Sequence, residues 1–482
     1  HLFQNDILTE YSLRHNAIGV VVIYSFWSKF FDSLLLSKLL PFILCFLSAM
    51  YVFLIGDKLY SAVVGFLSSF MFIGYSWTFH YFSGGHARAF AFPLLLSFIY
   101  YFIKDRYIVL GGILFLQILF YPPIALISIF ALCIVLYNSK RLMLYRAEES
   151  ARLIFFTCVI LAGLSMLCFM YMIPDNFMGP LVSLRGIVSM PEFFSGGRTP
   201  FFVTLHELVT KKSIMGRVIG LPIDIFPTKF LLCSSVLGLF LMFKKKIVVN
   251  TILNSFLISS LLLYVLSWVL LLKFFYPGRY LKFVLPVYLI FLTSLTIKKC
   301  IVEKFSRKIF IKLFMLITLI AFIFFPFLRK DLVTFKNKGL YKFLSTLPKN
   351  SLIAGHPSLM NEIPLFSKRK VFIQQELSLP FHNNYYQEIK RRTYAFFELY
   401  YSSDVEVIEN ICRVYKIDYI VAKKEHFCSS YLDKSNFYIE PFNDKIMEVI
   451  LKNRGKGFKL IGVFQKYKVY EDNDFIVINI AV

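Results

Sequence analysis

Residues 1 to about 328 are mostly apolar runs of bilayer-spanning length, whereas residues from about 329 to 482 have the composition of a water-soluble domain. The join falls at Phe325-Pro326-Phe327-Leu328-Arg329-Lys330, where the last apolar run stops. Because about 20 apolar residues cross a bilayer as a helix, this layout is that of a polytopic α-helical membrane protein with one folded domain on a single side. It restricts function to chemistry or transport at a bilayer.

The apolar runs place spans near 38–56, 60–78, 87–103, 106–120, 121–137, 152–173, 229–243, 250–274, 279–297 and 309–328. Two prolines do not fit inside one helix, so Pro122-Pro123 reads as a turn between two spans. Segment 16–36 carries Lys29 and Asp32 among apolar residues, the pattern of an interfacial or re-entrant helix. The charge pattern tests this count. Lys58, Lys104 with Arg106, Lys140-Arg141 with Arg146 and Arg152, Lys244-Lys245-Lys246, and Lys298-Lys299 with Lys304, Arg307, Lys308 and Lys312 all follow alternate spans. The positive-inside rule makes that face cytoplasmic. The other face then receives outer loops 1–37, 79–86 and 174–228 and the whole domain 329–482, which becomes extracytoplasmic. The chain begins at His1 in what reads as a polar loop. The expectation is that a preceding segment with one membrane helix is missing, so the total is about 10–11 spans.

Composition agrees with this layout. The chain is 57% hydrophobic and only 17% charged, against about 25% charged in soluble domains. Its mean hydropathy is +0.65. Its 56 Phe and 29 Tyr suit bilayer interfaces and helix packing. The net charge of +24 belongs to short cytoplasmic loops, and no aromatic-and-basic motif points to nucleic acid. Most of the eight Cys lie in or beside apolar runs, where Cys behaves as a small hydrophobe. Cys412 and Cys428 lie in the tail and are free to pair if it faces an oxidising compartment, although spacing alone decides nothing. The tail reads as α/β, with strands at 351–354, 370–374 and 418–422, helices at 384–401 and 404–415, and alternating paired strands from Gly457 to Ile480.

Polar residues that could carry chemistry collect on the outer loops. Asp6 and Glu10 in the first loop are four apart and would share one helix face. A carboxylate there is suited to act as general base or to hold a divalent cation. The plainer reading is a solvated loop beside a helix start. The second loop carries His80, Gly84-Gly85, His86 and Arg88. Arg88 stands where a span begins, and a charge there must pair, line a cavity or snorkel to headgroups. Arg is well matched to phosphate or pyrophosphate. The third loop is long and holds Asp175, Arg185, Glu192, Ser195-Gly196-Gly197-Arg198, His206-Glu207 and Lys211-Lys212. Its stretch 200–218 reads as an amphipathic helix on the membrane surface. His206-Glu207 lacks the second His of a zincin. A fourth outer loop again places an Arg, Arg279, at a span entrance. Arg88, Arg279 and Arg198 would converge on one anionic headgroup if the fold allows it. Without a Walker loop or charges deep in the spans, an ATP-driven pump or ion-coupled transporter is disfavoured.

This layout and these loop residues resemble the GT-C superfamily of integral membrane glycosyltransferases, over nearly the whole chain. Two segments carry the resemblance beyond layout. One is Gly85-His86-Ala87-Arg88-Ala89-Phe90-Ala91-Phe92-Pro93 followed by Gln117-Ile118-Leu119-Phe120-Tyr121-Pro122-Pro123. The other is Leu347 to Ile420, with His356-Pro357, Ile363-Pro364, Arg369-Lys370-Val371, Glu376, Tyr385 and Arg391-Arg392. The tail lacks the WWDxG signature of oligosaccharyltransferases, which argues against transfer of whole oligosaccharides to Asn. The Lys and Phe richness fits an AT-biased coding sequence and hence a prokaryotic plasma membrane. The resemblance implies a polyprenyl-phosphate-linked sugar donor, a glycan, lipid or protein acceptor, and a role in cell-envelope glycan biosynthesis. Carried over by position, it implies Asp6 as the catalytic carboxylate with Glu10 second, and His86, Arg88, Arg279 and Arg198 as the grip on the donor phosphate. It admits a divalent cation, Mg or Mn, as cofactor. The alternatives are a lipid-linked glycan polymerase, ligase or flippase, or a non-catalytic glycolipid-binding scaffold.

Overall fold

The computed structural model describes residues 3, 5–74, 81–138, 161–165, 176–202, 226–270, 276–302, 337–462 and 466–480. In chain order its principal helices are α1 (Ile7–His15), α2 (Ile18–Trp27), α3 (Ser33–Leu59), α4 (Ala62–Gly74), α5 (Ala91–Ile103), α6 (Tyr107–Phe120), α7 (Pro122–Asn138), α8 (Leu184–Ser189), α9 (Phe226–Phe243), α10 (Thr251–Leu270), α11 (Gly278–Ile297), α12 (Lys338–Thr346), α13 (Ile363–Phe366), α14 (Asn383–Tyr400), α15 (Val405–Tyr415), α16 (Ser429–Leu432) and α17 (Asn443–Arg454). The strands are β1 (Leu352–Gly355), β2 (Lys370–Val371), β3 (Tyr419–Lys423), β4 (Lys468–Glu471) and β5 (Phe475–Asn479).

The chain divides into two compact units. One joins His1–His15, Pro174–Val203 and Asp331–Val482, and the other joins Asn16–Ile173 and Thr204–Lys330.

The second unit is built from apolar helices. Three of those described, Ser33–Leu59, Thr251–Leu270 and Gly278–Cys300, are long and apolar enough to cross a membrane. Helix α3 starts where Asp32 caps it, its carboxylate accepting from Leu34 N at 2.9 Å. Phe46 on α3 is 69% exposed and Val269 on α10 is 66% exposed, as expected of faces turned to lipid rather than water. Helix α11, by contrast, is buried along most of its length. Hydroxyl hydrogen bonds tie the helices together: Ser68 to Ser294 at 2.9 Å, Ser234 with Thr293 at 2.8 Å, and Ser259 to the Ile127 carbonyl at 2.8 Å. Such bonds and close backbone approach hold helices where burial alone gives no drive. Helices α3 and α4 approach closely, and a Cβ on Gly56 would stand 2.5 Å from Gly65 Cα. The turn between α6 and α7 falls at Tyr121, and Pro122 and Pro123 occupy the first turn of α7, where no N–H is required. Segment 16–36 forms α2, a turn and the start of α3. The runs 152–173 and 309–328 and the stretch 203–225 lie wholly or largely outside the described residues.

The first unit is a mixed sheet with order β2-β1-β3-β5-β4. Strands β2, β1 and β3 run parallel, with Ile353 opposite Val371 on one side and Tyr419 on the other. β5 runs antiparallel to β3 and β4, and Val421 faces Val477. Phe396, Phe397, Tyr400 and Tyr401 of the α14 end pack with Ile408, Ile420 and Ile478 into one core. Two expected strands are shorter than the sequence suggests. β2 stops at Val371; Phe372 N still bonds to the Ile353 carbonyl at 2.8 Å, while the Phe372 carbonyl accepts from Arg392 at 3.2 Å. The 457–462 stretch turns, with Lys459 N bonded to the Ser402 carbonyl and Leu460 sunk into the core. Cys412 is buried in the core and Cys428 is exposed, and both are free thiols.

Two segments read from sequence as outer loops of the membrane domain belong to this sheet-bearing unit. Tyr11 of α1 stacks on Tyr385 of α14, with centroids 3.6 Å apart and planes 5° from parallel. Leu8 and Tyr11 join Leu340, Leu344 and Ile389 in one cluster. The Pro174–Val203 segment is pinned by Val182 N to the Phe381 carbonyl at 3.0 Å and by bridges Leu181–His382 and Gly197–Glu440. It also inserts Glu192, which has no exposed surface, against Lys390 Nζ at 2.7 Å.

Candidate active site

In the sheet-bearing unit, Asp6 is 9% exposed and stands just before the first residue of α1. Its Oδ2 accepts from Thr9 N at 2.9 Å and Thr9 Oγ1 at 2.6 Å, an N-capping arrangement. Glu10, one turn on, is ion-paired with Arg14 at 2.5 Å, and both side chains are well exposed. The two carboxylates thus lie on neighbouring turns, each already hydrogen-bonded within its own helix. Arg198 belongs to the same unit. It donates to Glu376 Oε2 at 2.9 Å and to the Gln375 carbonyl at 2.9 Å.

In the helical unit, the chain from Tyr81 to Phe90 makes two 3-10 turns joined by an extended His86. Gly84, at φ 77°, adopts the left-handed conformation that glycine tolerates. Its missing Cβ leaves room for the His86 ring, whose Nε2 would be 2.9 Å away. His86 itself is exposed. Two residues on, Arg88 is half-buried, and its Nε is buried without a hydrogen-bond partner among the described residues. Arg279 is half-buried in the first turn of α11.

The positive charges of Arg279 and Arg88 both act on the hydroxyl of Tyr121, at the α6–α7 turn. Arg279 also acts on the neighbouring Tyr280. Around them lie aromatic rings, with Tyr121 against Phe283 at 5.2 Å, Tyr81 against Phe283 at 5.2 Å, and Lys282 Nζ 5.3 Å from the Tyr81 centroid. The structure therefore brings together Arg88 and Arg279, with His86 on the same short turn as Arg88. Tyr121 was legible in the sequence only as part of a turn before two prolines. Its exposure to the charge of both arginines depends on α11 returning beside that turn, where Phe283 meets the Tyr121 ring.

Among the described residues no three His, Cys, Asp or Glu side chains gather as a metal site. Asp6 Oδ2 is engaged by Thr9 and Glu10 Oε1 by Arg14, and these two carboxylates do not assemble a donor set for a divalent cation.

Among the described residues the chain is thus mostly helical, with three helices suited to crossing a membrane and a sheet formed by its C-terminal part. No family model and no curated protein matches it. Among solved structures it is similar to the crystal structure of the Archaeoglobus fulgidus oligosaccharyltransferase tethered with an acceptor peptide containing the NVT sequon via a disulfide bond. That similarity has 12% identity and a TM-score of 0.48, covering 91% of this chain and 64% of that one.

Proposed function

We propose that this chain is a GT-C-like membrane glycosyltransferase that moves a sugar from a polyprenyl-phosphate-linked donor to an acceptor hydroxyl. The observation that carries this reading is the buried Arg88 Nε without a hydrogen-bond partner among the described residues, with Arg88 and Arg279 both bringing positive charge to buried Tyr121. Two guanidinium groups beside one buried hydroxyl are costly unless an anion joins them. The guanidinium fork suits phosphate oxygens. A lipid phosphate reaches such a pair sideways through the bilayer.

In the proposed reaction the acceptor oxygen attacks the anomeric carbon while its proton passes to Asp6, with Glu10 as the second choice. The bond from the anomeric carbon to the phosphate oxygen breaks with its electron pair, and the departing phosphate gains negative charge. Arg88 and Arg279 stabilise that charge where it develops, with His86 beside them. Arg198, held by Glu376, completes the proposed grip on the donor phosphate. Direct displacement inverts the anomeric configuration. We place the protein in a prokaryotic plasma membrane with residues 329–482 outside the cytoplasm.

The test uses full-length protein in liposomes, supplied with a polyprenyl-phosphate hexose or the matching nucleotide sugar. Transfer is expected from the lipid-linked donor alone. Arg88→Ala and Arg279→Ala are each expected to lower kcat/KM by about 100-fold. Asp6→Asn keeps a capping side chain and is expected to lower kcat. Unchanged transfer in the double Arg variant overturns the proposal.

A scaffold reading is favoured by one observation, the engagement of Asp6 by Thr9 and of Glu10 by Arg14. It predicts that Asp6→Asn and Glu10→Gln leave glycolipid binding and function intact. A polymerase, ligase or flippase would use the same arginines, and is distinguished by moving a whole lipid-linked glycan rather than one sugar.

A further inference from the structure

The sheet-bearing unit holds a cleft at the carboxyl ends of its parallel strands. β1 lies between β2 and β3. The chain leaves β1 toward β2 on one side, and later leaves β3 toward β4 and β5 on the other. Strand order therefore reverses between β1 and β3, and open α/β sheets bind ligands in the crevice at such a reversal. His356 and Ser358 follow β1 there, and Glu425 and His426 follow Lys423, the last residue of β3. The cavity between them measures about 370 Å³, within the ~300–1,000 Å³ range of small-molecule sites.

The lining is organised. On one wall Asn337 Nδ2 donates to Tyr341 Oη at 3.3 Å, and Tyr341 in turn donates to Glu362 Oε2. On the opposite rim Lys423 Nζ holds Glu425 at 2.6 Å. The buried floor is formed by His356 and His426, whose rings stand 4.8 Å apart. His356 Nδ1 is bonded to Ser358 Oγ at 2.7 Å. Asp474 and the apolar Leu359 and Phe475 complete the lining.

The charge on these walls selects the ligand. The lining carries one lysine, Lys423, against three carboxylates, Glu362, Glu425 and Asp474, while Lys434 stands outside the lining 4.0 Å from Glu425. Burial holds both imidazoles well below their ordinary range, so they are uncharged at neutral pH. An anion is repelled from such a surface, and the described residues form no metal cluster. Acceptor oxygens beside apolar Leu and Phe surface match a ligand with several hydroxyl donors on a carbon frame.

We propose that this cleft binds a sugar, neutral or amine-bearing, at a site separate from the Arg88–Arg279 pair. The site lies wholly within the sheet-bearing unit and does not depend on the transferase reading.

Saturation-transfer NMR tests it on the full-length protein in a detergent without a sugar headgroup. The probes are glucose, N-acetylglucosamine, glucosamine and inorganic phosphate at millimolar concentration. Saturation is expected to reach sugar ring protons, most strongly those of glucosamine. Hydrogen-exchange protection should appear in peptides covering 352–362 and 419–428. Glu362→Gln and Asp474→Asn alter exposed side chains and leave the core intact. Each is expected to weaken binding about tenfold, as for loss of a charge-assisted hydrogen bond. Absence of transfer to all three sugars, equal binding by both variants, or protection by phosphate alone overturns the proposal.

Discussion

Acidification should loosen the sheet-bearing unit well before carboxylates titrate. His356 is almost fully buried, and burial lowers its pKa from an ordinary 6.5 to about 4, the Phe437 backbone opposing that change and the Lys423 charge adding to it. His426 is lowered to about 2 by burial first, then by His356, Lys423 and Lys434. The unfolded chain takes up a proton near pH 6.5, whereas the folded His356 waits until about pH 4. Between those values the unfolded state binds more protons, so stability is full above pH 6.5 and falls as pH drops. For one proton this amounts to about 2 kcal/mol by pH ~5 and about 3 kcal/mol by pH ~4. Two histidines double that in this window, because both stay neutral in the folded state, where rings 4.8 Å apart disfavour protonating either. Hydrogen exchange on the full-length protein, corrected for intrinsic rates, reads the opening free energy of peptides 352–362 and 419–428 from pH 7 to 5. A drop of about 2–4 kcal/mol is expected, and His356→Asn should remove close to half of it. A flat profile, or an unchanged slope in that variant, refutes the argument that these rings are buried uncharged.

Lys390→Met should cost about 3–5 kcal/mol, because it strands the buried Glu192 carboxylate. Adding Glu192→Gln should recover most of that loss, and a denaturant series on both variants checks it. Asp6→Ala should destabilise α1 by about 1 kcal/mol through loss of the cap, whereas Asp6→Asn should not; local hydrogen exchange in residues 7–15 separates the two. Gly56→Ala should lower thermal stability in detergent by about 1–3 kcal/mol, since its Cβ meets the Gly65 backbone.

Several elements were legible because their cause is local. A long run of apolar side chains needs only its own length to form a spanning helix, and the helices Ser33–Leu59, Thr251–Leu270 and Gly278–Cys300 fall on such runs. Ser351-Leu352-Ile353-Ala354 and Asp418-Tyr419-Ile420-Val421-Ala422 announced β1 and β3 by short apolar content. The turn at Tyr121 followed from two prolines. Helices α12 and α17 were not anticipated, although Leu340 and Leu344 of the one and Ile446 and Ile450 of the other recur four residues apart on a buried face.

Pairing between distant segments followed no local pattern. Asp6 and Glu10 were singled out for their spacing, yet what they touch is Thr9 and Arg14, and only side-chain geometry decides between a cap and a free base. Arg198 looked like a member of a phosphate grip, and its guanidinium meets Glu376.

The sequence by itself determined that an apolar helical region is followed by an α/β region, since hydropathy and strand pattern are properties of contiguous residues. Only the tertiary structure decided which loops join which unit. Tyr11 finds Tyr385 and Glu192 finds Lys390 because burying an aromatic face or a carboxylate requires a partner supplied by another part of the chain. The same holds for Arg88 and Arg279 about Tyr121, and for the cleft between β1 and β3. A site made of residues far apart in sequence exists only after the chain has chosen its contacts.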